Sequence, residues 1–339
     1  MQLIYQFFRL IRFSNILVIV LTMCFFYGLL SNYHYSRQYF SLIGEGRIME
    51  FAPSFLETIG FKDFYFVLLI LSVVLVAASG NIINDYFDIK ADRVNKPNRV
   101  IIDKYIKRRW AIILNWTFNG LGFMIALYLS YLLNNWWILI ISFLSINLLY
   151  FYSAVYKRKF LSGNMIVAFL TAVVPFYVFV YGAFSNFQID SPFGSNDQIF
   201  VSANLLAIII YCGFAFLLNL IREIIKDMAD VKGDLLLQSK TFPIRFGFAK
   251  TKFFVGTLFS FALIPLIVFA IQGFSQSPII QSAGSHDIFF FYILIAVITC
   301  LMIALFMIFY KNQPKYYLIS SNFIKAAMLF GVISALFYS

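Results

Sequence analysis

Two segments of the chain carry aspartates at the same spacing, i, i+3 and i+7, and each segment begins where an apolar run ends. The aspartates are Asp85, Asp88 and Asp92 in the first segment and Asp227, Asp230 and Asp234 in the second. On a helix these positions share one face, so the carboxylates of each triad would repel one another unless a cation joined them. Carboxylate oxygens suit Mg²⁺, which binds a few carboxylates together with substrate phosphates. We therefore predict that the six aspartates are catalytic and that, with Asn84, they are ligands of Mg²⁺.

Basic side chains surround both triads, and cations beside a metal-binding site indicate a phosphorylated substrate, here a diphosphate. The side chains expected to contact it are Asn81, Lys96, Arg99, Lys157, Arg222 and Lys226. Arg12, Arg222 and Lys240 suit a phosphate on a second substrate, if that substrate carries one. The alternative interpretation is that both triads are solvated, charged helix ends. Identical spacing in two separate segments argues against it.

The composition indicates the environment in which these side chains must be positioned. Of 339 residues, 62% are hydrophobic, 20% are aromatic and 12% are charged, whereas a soluble domain has about 25% charged residues. A soluble globular protein and a disordered chain are therefore both excluded, and the natural solvent is a lipid bilayer. The few charges are unbalanced, because 26 Lys and Arg face 15 Asp and Glu, for a net charge of +11.

The apolar residues form nine stretches of about 20 residues, the length that a membrane-spanning helix needs. These stretches are 13–31, 64–84, 111–133, 136–154, 164–184, 200–221, 253–272, 288–310 and 322–339. Runs such as 67–78 do not alternate as barrel strands do, and a water-free core admits only helices or closed barrels. We predict an all-α, polytopic bundle of nine transmembrane helices that forms a single domain over residues 1–339.

The positions of the basic residues predict the orientation of this bundle. With the N-terminus inside, the inside segments are 1–12, 85–110, 155–163, 222–252 and 311–321. They hold 23 of the 26 Lys and Arg, counting Lys325 at the expected start of the last helix. Short cytoplasmic loops carry such an excess. We therefore predict a protein of the cytoplasmic membrane with its N-terminus and its active site on the cytoplasmic side.

Other chemistries lack their sequence signals. The chain has no GxxxxGK[ST] phosphate loop, no GxSxG elbow and no HExxH motif. Cys24, Cys212, Cys300, His34 and His286 have no metal-ligand spacing. A cation-coupled transporter remains an alternative, but transport favours charges spread across the membrane depth or at broken midplane helices, and both triads lie at one side.

Four segments resemble the UbiA superfamily of intramembrane prenyltransferases. NIINDYFDIKADRVNKPNR (81–99) resembles its first signature, NDxxDxxxD followed by NxPxR, and REIIKDMADVKGD (222–234) resembles its second Asp-rich motif. IRFSN (11–15) is similar to the Arg-x-x-Asn at the family's first helix, with Phe13 in place of the usual Pro. YSAVYKRKFLSGN (152–164) resembles the loop between helices four and five. The resemblance implies nine helices and adds Arg12, Asn15 and Tyr152 to the expected substrate-binding residues.

The resemblance also implies the reaction. KTFPIRFG (240–247) and NKPNR (95–99) look most like the digeranylgeranylglyceryl phosphate synthase branch, which moves a geranylgeranyl group from its diphosphate to the hydroxyl of geranylgeranylglyceryl phosphate in ether-lipid synthesis. The expected partners are a prenyl diphosphate donor, a lipophilic acceptor and membrane lipid, with Mg²⁺ as cofactor and no nucleic acid. Prenylation of an aromatic acceptor, as in quinone or haem synthesis, is the nearest alternative.

Overall fold

A computed structural model describes the backbone of residues 2–44, 64–95, 97, 100–184, 198–276 and 285–334. Side chains are described for 4–30, 64–95, 97, 100–182, 205–271 and 292–334. Most of the three long connections predicted on the side opposite the aspartates therefore lies outside the described residues. Lys96 and Arg99, two of the predicted substrate-binding residues, also lie outside them.

Ten α-helices follow one another along the described chain. They are α1 (Gln2–Leu10), α2 (Phe13–Gly44), α3 (Phe64–Asn95), α4 (Arg108–Leu132), α5 (Trp136–Ala154), α6 (Ser162–Phe184), α7 (Gln198–Leu236), α8 (Phe242–Gln276), α9 (Ser285–Tyr310) and α10 (Pro314–Ser334). Within the described residues, nine of them, α2 to α10, are long and apolar enough to cross a membrane. The predicted all-α bundle of nine spans is therefore confirmed.

Several helices extend beyond the apolar runs that predicted them. α3 continues to Asn95 and α7 to Leu236, because backbone hydrogen bonding persists where the side chains turn polar, whereas an apolar run marks only the part inside the bilayer. Both aspartate triads are consequently helical, as their spacing requires. α10 begins at Pro314 rather than at 322, so the placement of Lys325 at the start of the last helix was wrong: it lies in the middle.

The short helix α1 was not predicted, because its nine residues are too few to register as a span. Ile4, Tyr5 and Phe8 are exposed on it, whereas Gln6 and Leu10 are buried against the bundle. Exposed apolar side chains on an amphipathic helix at the start of a membrane bundle are typical of a helix lying in the membrane interface. A turn then joins α1 to α2, with Arg12 in the left-handed region at φ 53°.

Close packing between α3 and α4 fixes the helix that carries the first aspartate triad. The Ser72 hydroxyl donates to the Gly122 carbonyl at 2.7 Å. A Cβ on Gly122 would lie 2.9 Å from Cγ2 of Val76, so only glycine permits this approach. Small residues and interhelical hydrogen bonds are the usual means by which membrane helices pack.

The other helices enclose a cavity. On one side, α7 to α10 pack through a cluster of fully buried residues that includes Ile221, Phe259, Leu301 and Ile324. On the other side, α2 to α7 contribute a second cluster around Phe66. Between these clusters a cavity of about 630 Å³ remains, lined mainly by α2, α3, α5, α6, α7 and α10.

Candidate active site

The first aspartate motif, residues 81–95, occupies the last four turns of α3. Asn84 and Asp88 are buried, and Asp85 and Asp92 are half-buried. The Asn81 amide donates to the carbonyl of Ile11 at 2.9 Å, which attaches the turn before α2 to this helix. The carboxylates of motif one therefore lie at the edge of the bundle rather than on a solvated surface.

Two cations from other parts of the chain bind motif one. Nη2 of Arg12 lies 2.6 Å from Oδ1 of Asp85. Nζ of Lys157 donates to Oδ1 of Asn84 at 3.0 Å and forms an ion pair with Asp88. The short 3₁₀ turn 156–158 between α5 and α6 positions Lys157.

Both cations stay charged in these positions. The carboxylate of Asp85 raises the pKa of Arg12 above its ordinary value, although burial opposes this. Burial alone would lower the pKa of Lys157, but Asp88 and Tyr152 together outweigh it, and the pKa lies above its ordinary value. Nζ of Lys157 is also 6.0 Å from the centre of the Tyr152 ring, within the range of a cation–π contact.

The second motif, residues 222–234, lies near the end of α7 and has different partners. The Asn164 amide donates to Oδ2 of Asp227 at 2.8 Å. Glu223, one turn earlier, binds Nη1 of Arg222 at 2.9 Å and Nζ of Lys226 at 2.5 Å. Asp230 and Asp234 follow on the same helix and are half-buried. The predicted substrate-binding cations Arg222 and Lys226 thus meet a carboxylate outside the triad.

Asn95 joins the two motifs directly. Its Nδ2 donates to the carbonyl of Asp230 at 3.0 Å, and its Oδ1 accepts from the backbone N–H of Gly233 at 2.8 Å. A Cβ on Gly233 would lie 2.3 Å from Nδ2 of Asn95. The amide therefore clamps the backbone of motif two to the end of motif one, and a side chain at position 233 would displace it.

The donor chemistry of the two motifs fits Mg²⁺. All the predicted ligands are carboxylate or amide oxygens, the hard donors that Mg²⁺ prefers, and the clamp at Asn95 holds the two helices side by side. Among the residues whose side chains are described, no three acidic, histidine or cysteine groups already form a compact metal cluster. The carboxylates of Asp85 and Asp88 are instead turned toward Arg12 and Lys157.

The cavity reaches both motifs through Asn84, Arg222 and Lys226. Most of its wall is apolar and includes Ile19, Phe26, Val73, Val174 and Phe214. The predicted site residues that line it are Arg12, Asn15, Asn81, Asn84, Tyr152, Arg222 and Lys226. A pocket with one charged end and a long apolar wall suits an amphiphile with an anionic head and a hydrocarbon tail.

One predicted substrate-binding residue stands apart. The Lys240 side chain is exposed and does not line the cavity. Its backbone N–H donates to the carbonyl of Arg158 at 2.8 Å, so the segment after α7 is attached to the loop that carries Lys157. The backbone of Lys240 thus helps to hold the loop that carries Lys157 in place.

Four residues near the site were not predicted as part of it. Glu223 is acidic but falls outside the i, i+3, i+7 spacing, and Lys325 was counted only for the orientation of the bundle. Asn95 and Asn164 lie in the segments 95–99 and 152–164, whose resemblance to family motifs could have identified them. Their contacts depend on which helices pack together, and spacing along the chain does not contain that information.

Comparison with known proteins agrees with this architecture. A model of the UbiA prenyltransferase family matches residues 51–323. The digeranylgeranylglyceryl phosphate synthase of Thermococcus sibiricus is 32% identical over 220 residues, which cover 64% of this chain and 70% of that protein.

Two solved structures have a similar fold. A structure described as digeranylgeranylglyceryl phosphate synthase in membranes superposes with a TM-score of 0.59 at 23% identity and covers 99% of this chain and 98% of its own. A UbiA homolog from Archaeoglobus fulgidus bound to DMAPP and Mg²⁺ gives a TM-score of 0.51 at 17% identity, covering 97% of this chain and 99% of its own.

The family match extends across both aspartate motifs, seven complete spans and the first part of α10, and it confirms the family that the motifs resemble. Together with the nine membrane-spanning helices, it makes the chain an integral membrane protein and an enzyme that transfers prenyl groups. The chain belongs to the UbiA prenyltransferase family.

Proposed function

We propose that the protein transfers a geranylgeranyl group from geranylgeranyl diphosphate to the free hydroxyl of geranylgeranylglyceryl phosphate, with Mg²⁺, in ether-lipid synthesis. The observation that carries the proposal is the meeting of both aspartate motifs and several cations at one end of an apolar cavity. The relative from Thermococcus sibiricus, named for this reaction, supports the choice of acceptor.

The donor would lie with its diphosphate between the two motifs and its chain along the apolar wall. The aspartates and Asn84 would hold Mg²⁺, which, when bound, neutralises the charge that develops on the departing diphosphate. Lys157 and Arg12 lie beside the same carboxylates and can donate to phosphate oxygens as well. The carbon–oxygen bond to the diphosphate breaks, and charge develops on the allylic carbon.

The side chains that line the cavity would exclude water and stabilise the positive charge on the allylic carbon. Apolar side chains such as Val76 and Leu149 line the same cavity as Asn84 and Tyr152 and would exclude water, so that hydrolysis does not compete with transfer. The ring of Tyr152 offers a π-face to positive charge. The acceptor oxygen then forms the ether bond to the allylic carbon, its proton passes to the released diphosphate, and the protonated diphosphate leaves the site.

We place this end of the cavity on the cytoplasmic side of the cytoplasmic membrane. The support is the excess of Lys and Arg in the predicted inside segments, which hold 22 of the 26. Such an excess is typical of cytoplasmic loops. A water-soluble diphosphate and Mg²⁺ would then reach the site directly from the cytoplasm.

One experiment tests both the transfer reaction and the side of the membrane on which the active site lies. Sealed inverted membrane vesicles containing the protein receive labelled geranylgeranyl diphosphate and Mg²⁺, with either geranylgeranylglyceryl phosphate or an aromatic acid as acceptor. We expect labelled ether lipid only with the glyceryl phosphate and complete inhibition by external chelator.

Product only with the aromatic acid would refute the proposed acceptor while leaving prenyl transfer intact. Activity that resists external chelator in inverted vesicles, but not in right-side-out vesicles, would refute the proposed side. Vesicles from cells that carry the empty vector provide the control for endogenous transferases.

A further inference from the structure

Lys325 is a charged side chain in the middle of a membrane-spanning helix, and the two aspartate motifs do not account for it. It lies about 16 Å along α10 from Pro314, at 1.5 Å per residue. It lines the cavity, and its Nζ donates to Oδ1 of Asn15 at 2.8 Å. Ionisable side chains at this depth are costly and generally mark a functional site.

The partners of Lys325 leave its charge uncompensated. Among the described residues it makes one hydrogen bond, to a neutral amide, and no ion pair. The charged side chain that acts on it electrostatically is Arg222, which is also positive. An ammonium group has three donors, so two of the donors of Lys325 remain available to a ligand.

Arg222 also carries a donor atom without a partner. Its Nη1 binds Glu223, but its Nε is buried and has no hydrogen-bond partner among the described residues. Buried polar atoms without partners are rare in folded proteins and call for an explanation, such as a ligand. Arg222 and Lys325 thus present unsatisfied donors on two facing helices, α7 and α10, that pack together.

The cavity wall carries an excess of positive charge. Four cationic side chains line the cavity, Arg12, Arg222, Lys226 and Lys325, against one acidic side chain, Glu223. Arg12 is already paired with Asp85, and Lys226 with Glu223. The remaining positive charge belongs to Arg222, which shares Glu223 with Lys226, and to Lys325.

We propose that Lys325, Arg222 and Asn15 form a second anion-binding subsite, which holds the phosphate of the acceptor lipid. This rests on the proposed function and assigns its acceptor a binding site. Asn15 lies in the first turn of α2, next to Arg12 and therefore close to motif one. In geranylgeranylglyceryl phosphate the phosphate and the reacting hydroxyl are on neighbouring glycerol carbons, so a phosphate bound here keeps the hydroxyl near the donor diphosphate.

The diphosphate of the donor and the phosphate of the acceptor would then have different roles and different binding sites. Motif one, motif two and Lys157 hold the leaving diphosphate, and the subsite holds a phosphate that must stay bound while the ether forms. An acceptor without a phosphate would lack this anchor. The subsite thereby favours a lipid phosphate as acceptor over an uncharged lipid alcohol.

The test separates the charge of Lys325 from its hydrogen bond to Asn15. The Lys325→Gln variant can keep the hydrogen bond and loses the charge, and Lys325→Arg keeps the charge. We expect Lys325→Gln to raise the KM for geranylgeranylglyceryl phosphate about tenfold or more, as loss of a charge-assisted contact does. The KM for geranylgeranyl diphosphate should change less than about twofold, and Lys325→Arg should restore most of the affinity.

A binding measurement checks the subsite without turnover. In chelator, geranylgeranylglyceryl phosphate should raise the Tm of the wild type more than geranylgeranylglycerol does, and Lys325→Gln should abolish that difference. Lys252→Gln is the matched control, because Lys252 is also a lysine in a spanning helix but lies over the rings of Phe309 and Tyr317 and outside the cavity.

The outcomes are distinct. Near-normal kinetics in Lys325→Gln would mean that Lys325 only joins α2 to α10, which overturns the subsite. A rise confined to the KM for the diphosphate would assign Lys325 to the donor and also overturn it. A wild type that prenylates only an aromatic acid would refute the proposed function itself, and the subsite with it.

Discussion

The two aspartate motifs have the same spacing but different surroundings. In motif one, Asp85 and Asp88 each bind a cation from a distant part of the chain, Arg12 and Lys157. In motif two, Asp227 accepts a hydrogen bond from the neutral Asn164 and makes no ion pair among the described residues.

Two of the cations near Asp227, Arg222 and Lys226, pair with Glu223. The protein therefore compensates the charge of motif one itself, whereas Asp227 depends more on a cation supplied from outside. Equal spacing identifies two similar helix faces, but the packed neighbours decide how much each motif relies on Mg²⁺.

The largest effect is expected from removing one carboxylate of either motif. Asp88→Ala and Asp230→Ala should each lower kcat by at least about 100-fold, because loss of a ligand should exceed the 10–100-fold cost of losing an outer partner. The measurement is Mg²⁺-dependent transfer by purified variants in liposomes, after membrane insertion has been verified.

Asp103→Ala provides the matched control for these variants. Asp103 lies outside both motifs, where a hydrogen bond from Arg108 holds its pKa below the ordinary value. Activity should survive this change. Near-normal turnover by Asp88→Ala or Asp230→Ala would refute a metal site shared between the motifs.

Removing a side chain that binds a carboxylate of either motif should impair the enzyme less than removing the carboxylate, and the two motifs should respond differently. Asn164→Ala removes the donor to Asp227 and should raise the Mg²⁺ concentration needed for half-maximal activity by about 10-fold or more.

Lys157→Met removes a cation from motif one and should mainly raise the KM for geranylgeranyl diphosphate. Titrations of Mg²⁺ and of the donor measure both quantities.

Asn147→Ala is a suitable control for these titrations, because Asn147 donates to the carbonyl of Phe143 in its own helix and does not line the cavity. Identical responses of Asn164→Ala and Lys157→Met to Mg²⁺ would contradict the proposed difference between the motifs.

The smallest effect is expected at the clamp between the motifs. Gly233→Ala places a methyl group 2.3 Å from Nδ2 of Asn95, and the amide can rotate away at the loss of two hydrogen bonds. We expect a destabilisation of about 1–3 kcal/mol, typical of overpacking, and a loss of activity below about tenfold. Denaturant titration and kcat measure the two effects.

Gly213→Ala lies on the same helix with open space around its Cβ position and should be neutral or stabilising. In Asn95→Ala/Gly233→Ala, the effects of the single changes should not add, because both remove one contact. Additive effects would show that the clamp does not couple the two motifs.

The sequence predicted the helices and the triads better than it predicted their partners. The lengths of the apolar runs located all nine spans, because the thickness of the bilayer sets the length of a span. These runs underestimated the lengths of α3 and α7, because both helices continue past their apolar runs and carry the aspartate motifs there. The triads followed from helical periodicity, which is local. Asn164 and Asn95 contact their partners only after α6, α7 and the end of α3 pack together.

Lys325 illustrates the same limit. Its charge was counted toward the orientation of the bundle, because the apolar stretch after it was the only visible signal of the last helix. α10 begins at Pro314, and the polar residues between 314 and 322 are accommodated where helices pack against one another. Lys325, whose position in the sequence suggested a charge at the membrane interface, therefore lies in the wall of the cavity.

The left-handed turn before α2 has a consequence for how the protein could be improved. An arginine at φ 53° sits in a backbone conformation that costs a residue other than glycine about 1–3 kcal/mol. Glycine at position 12 would relieve this strain but remove the partner of Asp85. Under the proposed function, the Arg12→Gly variant is therefore expected to be more stable and less active than the wild type.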